Sequence, residues 1–149
     1  MMSRHARDGR LDLILLRLAR REPVRSVPEA FLSEAGLSGD HAPAGKRAVT
    51  LVQAEHLQVI AALLGRDGVD PADLRRNLIV SGINLSSLRK SEIAIGSALL
   101  AIEGPCPPCS RMEETFGPGG YNAVRNHGGF YASVVTPGVI RTGELVRPA

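Results

Sequence analysis

A pair of cysteines three positions apart offers the clearest chemistry in this sequence. The pair lies in the segment Gly104-Pro105-Cys106-Pro107-Pro108-Cys109. Ser110 and Glu113 follow with the spacing of a capping box, which predicts a helix that begins here. A thiol just before a helix N-terminus is favoured as the thiolate, and Arg111 adds a positive charge nearby. Because the prolines stiffen the approach, the segment predicts Cys109 as a nucleophile or metal ligand held in a fixed direction.

Three other interpretations of the cysteine pair stay open at this point. Both thiols can be small buried hydrophobic groups at a turn between strand and helix. A zinc site needs four ligands, and the sequence adds only the scattered histidines 5, 41, 56 and 127 to the two sulfurs. A thioredoxin-like redox pair also has the C-x-x-C spacing, but it belongs in a βαβ context, whereas this segment has mostly β surroundings.

Cationic and glycine-rich segments provide candidate anion contacts. Arg75, Arg76 and Asn77 stand at a predicted helix-to-strand junction, and Lys46-Arg47 immediately precedes a predicted strand. Guanidinium groups bind phosphate well, although a single arginine on a small domain is more often a solvated surface residue. The loop Asn126-His127-Gly128-Gly129 can approach a ligand closely, and ordinary turn formation explains its glycines equally well.

Short apolar runs separated by glycine and proline predict the elements that hold these residues. Strands are expected at residues 49–52, 78–80, 93–95 and 98–102, and residues 11–18 fit either a strand or a helix. A helix should end near Leu64 with Gly65 as its left-handed cap, and a short one should begin at Asp70 and run through Arg75. Residues 130–135 and 139–146 flank a type II turn at 136–139, which predicts a hairpin or a tight connection. We therefore expect a mainly β fold, a small closed β-barrel with two or three short helices.

Size and composition predict one domain over residues 1–149, with a flexible N-terminus at 1–10. The 149 residues are 44% apolar and 22% charged, which is enough for one core of its own. The formal charge is only +3 and aromatic residues make up 3%, so nucleic-acid binding is not expected.

The cysteine spacing and the N-terminal residues predict a cytoplasmic protein. Cysteines this close cannot link distant parts of a fold, which favours a reducing compartment. The longest uncharged apolar stretch near the N-terminus is residues 13–16, too short for a signal peptide or a membrane span.

The order of these motifs resembles a known domain. The matching segments are Gly39-Asp40-His41, then Lys46-Arg47 through His56-Leu57, Arg76-Asn77-Leu78 through Ile83, Ile95-Gly96, Pro105 to Cys109, His127-Gly128-Gly129 and Gly138 to Glu144. Together they are similar to the MOSC domain, which occurs at the C-terminus of molybdenum cofactor sulfurases and as small stand-alone bacterial proteins. The resemblance covers about residues 11–146.

The resemblance implies a β-barrel that binds the molybdopterin form of molybdenum cofactor, with Cys109 as the molybdenum ligand. Arg75 and Asn77 match a short R-x-N segment of the mitochondrial amidoxime-reducing component, which implies that they face the pterin phosphate. The resemblance also implies cofactor contacts for a further set of residues: Asp40, His41, Lys46, Arg47, Ser110, Arg111 and His127. Lys46 and Arg47 are similar in placement only.

A molybdenum-dependent reductase of N-hydroxylated small molecules, supplied by an unidentified electron-donor protein, is the activity that the resemblance implies. A sulfur carrier with a persulfide on Cys109 and a non-catalytic cofactor-binding protein stay open as alternatives. The sequence departs from the family pattern at residues 41–45, where an H-G-G triplet is frequent, and at Arg76, where the common segment is E-N-L. Pyridoxal phosphate is not expected, because no separate sulfurase domain is present.

Overall fold

Seven strands close into a barrel, which confirms the predicted mainly β fold. The computed structural model describes residues 4–42 and 45–149. Its strands are β1 (Gly9–Leu16), β2 (Arg25–Val27), β3 (Glu29–Ser33), β4 (Gly36–Leu37), β5 (Val49–Gln53), β6 (Leu78–Ser81), β7 (Glu92–Ile95), β8 (Ala98–Pro105), β9 (Phe130–Thr136), β10 (Gly138–Arg141) and β11 (Leu145–Pro148). The barrel order is β1-β6-β5-β9-β8-β7-β11, and β11 pairs with β1 to close it.

The N-terminal part of the chain enters the barrel earlier than predicted. Gly9 and Arg10, the last residues of the predicted flexible segment, already pair with β11 as part of β1. Residues 1–3 of that segment lie outside the described residues, as do residues 43–44 of the loop that departs from the family pattern.

A second, three-stranded sheet has the order β10-β3-β4, and it decides between the hairpin and the tight connection predicted between residues 130–135 and 139–146. Because β10 pairs with β3, β9 and β10 are joined by a tight connection without forming a hairpin. The type II turn was wrong, since Gly138 is a strand residue whose φ is not positive. A Cβ at Gly138 would lie 2.8 Å from the carbonyl carbon of Ser97 and 2.9 Å from the backbone nitrogen of Ala98, so a close backbone approach explains this glycine.

Side chains alternate between two cores along the barrel strands. In β5, Val49 and Leu51 point into the barrel interior, whereas Val52 points outward to a second apolar cluster. Three helices cover this outer face: α1 (Ala54–Leu64), α2 (Arg111–Phe116) and α3 (Gly120–Val124). The outer face of β5 and β6 is therefore where helices and loops can assemble a site.

Local signals placed α1 correctly. The spacing of Leu57, Ile60 and Ala61 buries one face of the helix, and Gly65 caps it in the left-handed region at φ 70°. The predicted short helix after Asp70 is a 3₁₀ turn, Pro71–Leu74. The Asp70 side chain caps it by accepting from the Ala72 N–H.

The helix predicted after the cysteines begins at Arg111, but its capping box does not form. The Ser110 side chain makes no capping hydrogen bond. The Glu113 carboxylate accepts instead from the N–H groups of Gly119 and Tyr121, at 3.2 and 2.9 Å. Glu113 therefore connects α2 to the start of α3, because its carboxylate binds the N–H groups of Gly119 and Tyr121 instead of the backbone N–H of Ser110.

The helices of the described chain are short. None of them combines the length and the apolar character that a membrane crossing requires.

Candidate functional site

Five arginines come together where β1, β5, β6 and α2 end or begin. This arginine cluster consists of Arg17, Arg47, Arg75, Arg76 and Arg111. Burial lowers the pKa of Arg75, the charges of Arg111 and Arg17 lower it further, and Asp40 opposes them. Arg75 is thus close enough to Arg111 and Arg17 for their charges to repel it, and Arg17, Arg47 and Arg76 are all close enough to Cys106 to act on its thiol. Such a concentration of positive charge is the electrostatic condition of an anion-binding site.

Arg17 is fixed by a buried carboxylate. Its Nε and Nη2 atoms donate to Asp40 at 3.2 and 2.9 Å, and Nη2 also donates to Asn77 Oδ1 at 3.0 Å. The Asp40 side chain is only 1% exposed and that of Arg17 is 17% exposed. Among the described residues the Nη1 group of Arg17 has no hydrogen-bond partner. One edge of the guanidinium is therefore held, and the other can receive a ligand.

Asn77 lies beneath the cluster rather than on its surface. The residue is fully buried. Its Nδ2 atom donates to Leu15 O at 3.1 Å and to Asp40 Oδ1 at 3.0 Å. Its Oδ1 atom accepts from the backbone and hydroxyl of Thr50, at 3.0 and 3.2 Å, as well as from Arg17. With both donors used, Asn77 orients Arg17 and leaves no side-chain hydrogen for a cofactor.

Arg75 and Arg76 are each tied to a backbone carbonyl of another loop. Arg75 adopts the left-handed region at φ 56°, and its guanidinium donates to the carbonyls of Glu22 and, at 3.0 Å, Ala19. Arg76 Nε donates to Gly128 O at 2.6 Å. These bonds hold both charges in the cluster while leaving further N–H groups on each side chain.

The turn before β5 carries both Lys46 and Arg47, and Arg47 is packed against an aromatic ring. The guanidinium carbon of Arg47 lies 4.5 Å from the centroid of the Tyr131 ring, a cation–π contact. Thr50 and Tyr131 pair across β5 and β9, so this ring stands beside the Asn77 network. Lys46 is exposed, and within the described ranges it forms no ion pair.

The two predicted histidines lie at the margin of the cluster. His41 is exposed, and it is the backbone N–H of this residue that contacts Arg17, at Arg17 O. The His127 ring packs against His56 of α1, with centroids 6.0 Å apart. Burial lowers the pKa of His56, and the charge of His127 lowers it further, whereas Glu55 opposes both.

Gly129 brings the loop after α3 against β5. Its φ is +99°, and a Cβ would lie 2.0 Å from Leu51 O. Gly129 O accepts from the Cys106 N–H at 2.8 Å. Only glycine permits this approach, and the approach fixes where the cysteine segment begins.

The two cysteines have opposite environments. Cys106 is 4% exposed, whereas Cys109 is exposed. Burial raises the pKa of the Cys106 thiol, and the charges of Arg76, Arg17 and Arg47 oppose that rise. Cys109 lies in the segment from Cys106 to Arg111. Cys106 lies near those three arginines and Arg111 lies near Arg75. Both ends of the segment are therefore at the arginine cluster.

The proline pair keeps the two sulfurs apart. Residues 106–109 contain no turn or bend. Each residue before a proline is restricted to extended or polyproline conformations. Three steps of about 3.1 Å place the Cα atoms of Cys106 and Cys109 about 9 Å apart, beyond the 7 Å limit for a disulfide. The thiol of Cys109 is therefore not paired with its neighbour.

A metal ion bound here would need ligands besides protein side chains. Within the described ranges, no group of three or more His, Cys, Asp or Glu residues is arranged to hold one. Cys109 can supply one sulfur ligand.

Arg17 and Tyr131 were not predicted from the sequence as site residues. Arg17 directly follows the buried apolar residues of β1, and a charge at the end of such a strand is the signal that could have drawn attention to it. Tyr131 carries no local signal, because its contact with Arg47 depends on the pairing of β9 with β5.

The chain matches a known domain family. The model of the MOSC domain matches residues 37–147, most of the chain. The chain therefore belongs to the MOSC domain family, which is associated with molybdenum cofactor binding and sulfurase-like functions.

Solved structures show the same fold. The YuaD protein from Bacillus subtilis is 18% identical, with a TM-score of 0.81 over 94% of each chain. YiiM from Geobacillus stearothermophilus is 18% identical, with a TM-score of 0.78 over 95% of this chain and 75% of that one. YiiM from Escherichia coli is 24% identical, with a TM-score of 0.73 over 94% of this chain and 69% of that one. No curated protein matches the chain significantly.

Proposed function

We propose that this protein binds the molybdopterin form of molybdenum cofactor and reduces N-hydroxylated small molecules, with Cys109 as the protein ligand of molybdenum. The observation that carries this proposal is the exposed thiol of Cys109 on a segment whose two ends lie at the arginine cluster. The arginine cluster suits the phosphate of such a cofactor, and the Cys109 thiol suits its metal.

The arginine cluster suits the phosphate end. Of its five guanidinium groups, only that of Arg17 forms an ion pair with a carboxylate within the described residues. The charges of Arg111 and Arg17 lower the pKa of Arg75, because like charges repel. A phosphate removes that repulsion, and guanidinium forks match its geometry.

Cys109 suits the metal end. Thiolate is a soft ligand of the kind that molybdenum accepts. The extended proline segment holds Cys109 away from Cys106, so the sulfur stays free to bind. When bound, the cofactor supplies oxygen-atom transfer and two-electron chemistry, which no side chain of the protein can provide.

The residues of this chain would bind the cofactor and orient the side chains that hold it. Asp40 and Asn77 orient Arg17, and Gly128 orients Arg76. The overall conversion takes an N-hydroxyl compound, two electrons and two protons to the N–H compound and water. We propose that an electron-donor protein supplies the electrons.

A reduction assay tests this function. The full chain, loaded with cofactor in a host that makes it, is given benzamidoxime and a reduced viologen dye as electron source. We expect benzamidine as product with the wild type and with Ser86→Ala, a change on an exposed residue of the 3₁₀ turn Leu85–Leu88. Cys109→Ala should give none. Equal turnover by Cys109→Ala would contradict the role of this cysteine.

A sulfur-carrier function is the second candidate, and the separation of the two cysteines favours it as well. The extended proline segment holds Cys106 away from Cys109, so it would protect a persulfide on Cys109 from attack by Cys106. Mass spectrometry after incubation with a cysteine desulfurase and cysteine tests it. One added sulfur atom on the wild type, absent from Cys109→Ala, would support this function, and an unchanged mass would rule it out.

A further inference from the structure

A cavity of about 290 Å³ opens beside the cysteine segment. Its walls are Pro105, Cys106, Pro107, Pro108, Tyr121, Arg125 and Asn126. Apart from the cysteine segment itself, these residues belong neither to the arginine cluster nor to the residues for which a site role was predicted. The volume is close to the lower limit of small-molecule sites.

The walls favour a flat, ring-bearing ligand. The prolines and the Tyr121 ring offer apolar surface, and the Tyr121 side chain is not packed away, since the residue is 45% exposed. Burial raises the pKa of the Cys106 thiol, so this wall is neutral as well. Aromatic rings gain from stacking on a tyrosine beyond the burial of area alone.

Polar groups occupy one part of the rim. Arg125 and Asn126 are both exposed, and Arg125 has no carboxylate partner within the described ranges. Together they offer hydrogen-bond donors and one amide acceptor. The combination of a few polar groups with an apolar wall is typical of ligand sites.

The cavity and Cys109 share one stiff segment. Pro107 and Pro108 line the cavity and directly precede Cys109. The arginine cluster reaches the same segment at its two ends, through Cys106 and Arg111. A molecule in the cavity would therefore lie against the segment that carries the exposed thiol.

We propose that this cavity is the substrate subsite of the centre, and that it selects N-hydroxylated compounds with a planar ring over those without one. The ring lies against Tyr121 and the prolines, and Arg125 and Asn126 bind polar substituents. This inference rests on the proposed function, because a compound bound in the cavity is a substrate only if the protein reduces it. Binding of the ring itself does not require the cofactor.

Binding to the full chain tests the subsite without any turnover. The isotopically labelled protein is titrated with benzamidoxime and with acetamidoxime, which has the same reactive group and no ring, and amide NMR shifts are followed. We expect benzamidoxime to shift the amides of Cys106, Tyr121 and Asn126 and to bind more tightly than acetamidoxime. Shifts confined to other surfaces would overturn the proposal.

Variants of Tyr121 separate stacking from general damage to the fold. Tyr121→Ala should weaken benzamidoxime binding about two- to tenfold, the loss of one aromatic contact. Tyr121→Phe keeps the ring and should bind as the wild type does. Phe31→Ala is the matched control, since Phe31 is 46% exposed and lies on β3 in the other sheet. An unchanged affinity in Tyr121→Ala would contradict the subsite.

Turnover by the loaded enzyme distinguishes this inference from the proposed function. In Tyr121→Ala, kcat/KM should fall for benzamidoxime by the same factor and stay unchanged for acetamidoxime. Reduction of both compounds with no effect of Tyr121→Ala would overturn the subsite and leave the function standing. Benzamidoxime bound at Tyr121 by a chain that never acquires molybdenum would overturn the function and leave a ring-binding site.

Discussion

Asn77 Nδ2 donates to Asp40 Oδ1 at 3.0 Å across a separation of 37 positions, and both side chains bind Arg17. This relationship connects β6, the loop after β4 and the end of β1. It gives one guanidinium a fixed orientation at the centre of the arginine cluster.

Asp40→Asn should destabilise the fold by about 1.5–3 kcal/mol, because Arg17 loses a charged partner that is almost fully buried. An amide also presents a donor where Arg17 or Asn77 requires an acceptor. Urea unfolding measures the change. Glu29→Gln is the matched control, since the Arg141–Glu29 pair is exposed, with side chains 61% and 57% accessible, and it should cost at most about 1 kcal/mol. Equal effects of the two changes would contradict the network.

Arg76→Gln should weaken binding of inorganic phosphate about tenfold, the loss of one charge-assisted contact. Titration calorimetry on the full chain gives the dissociation constant. Arg141→Gln removes the same charge from the exposed pair with Glu29 and should leave that constant unchanged. A uniform weakening by both variants would show that net charge alone attracts the ion.

His56 should make the protein less stable as the pH falls below about 6.5, its unfolded pKa. Burial and His127 lower the folded pKa of His56, so the unfolded state binds the proton more readily. This contribution to stability is present above the unfolded pKa and is lost as the pH falls through the folded pKa. His56→Gln should therefore flatten the dependence of Tm on pH between about 7.5 and 5. A wild-type slope that persists in His56→Gln would contradict this assignment.

Oxidation with diamide should not join Cys106 to Cys109, because the proline pair holds their Cα atoms too far apart. The double change Pro107→Gly and Pro108→Gly frees the segment to turn and should allow the bond. Intact mass under non-reducing conditions detects the loss of two hydrogens. Ready formation of the bond in the wild type would show that the segment bends in solution.

Gly129→Ala should be more destabilising than Gly143→Ala. Both glycines are left-handed, at φ +99° and +91°, but a Cβ at Gly129 meets Leu51 O whereas that at Gly143 has open space within 4 Å. The control should therefore cost only the backbone strain of about 1–2 kcal/mol. Urea unfolding of both variants isolates the clash, and equal values would argue against close packing of this loop.

Local signals predicted the elements that depend on neighbouring residues. The spacing of Leu57, Ile60 and Ala61 with Gly65 was sufficient for α1, and the apolar run at 78–80 was sufficient for β6. The type II turn at residues 136–139 was wrong, because Gly138 is required by a close approach to Ser97 and Ala98, from another part of the chain. Strands β2 to β4 were not predicted, since they are short and β3 is held by β10, more than a hundred positions away.

The candidate site residues also differ in whether their signal is local or depends on distant contacts. The cysteine segment, Arg75 and Arg111 carry signals in their own neighbourhood and were selected from the sequence. Arg17 was not, because its partner Asp40 lies 23 positions away and no local pattern links them. Asn77 was predicted as a cofactor contact. In the structure it is buried, both of its side-chain N–H groups are used, and it binds Arg17.

The molybdenum and pterin content of the full chain, purified from a host that makes the cofactor, tests the central claim most directly. Wild type, Cys109→Ala and the control Ser86→Ala are compared. We predict near-stoichiometric molybdenum and pterin in the wild type and in Ser86→Ala, and a clear loss of molybdenum in Cys109→Ala. No molybdenum in the wild type, or the same content in Cys109→Ala, would contradict the claim that Cys109 binds molybdenum.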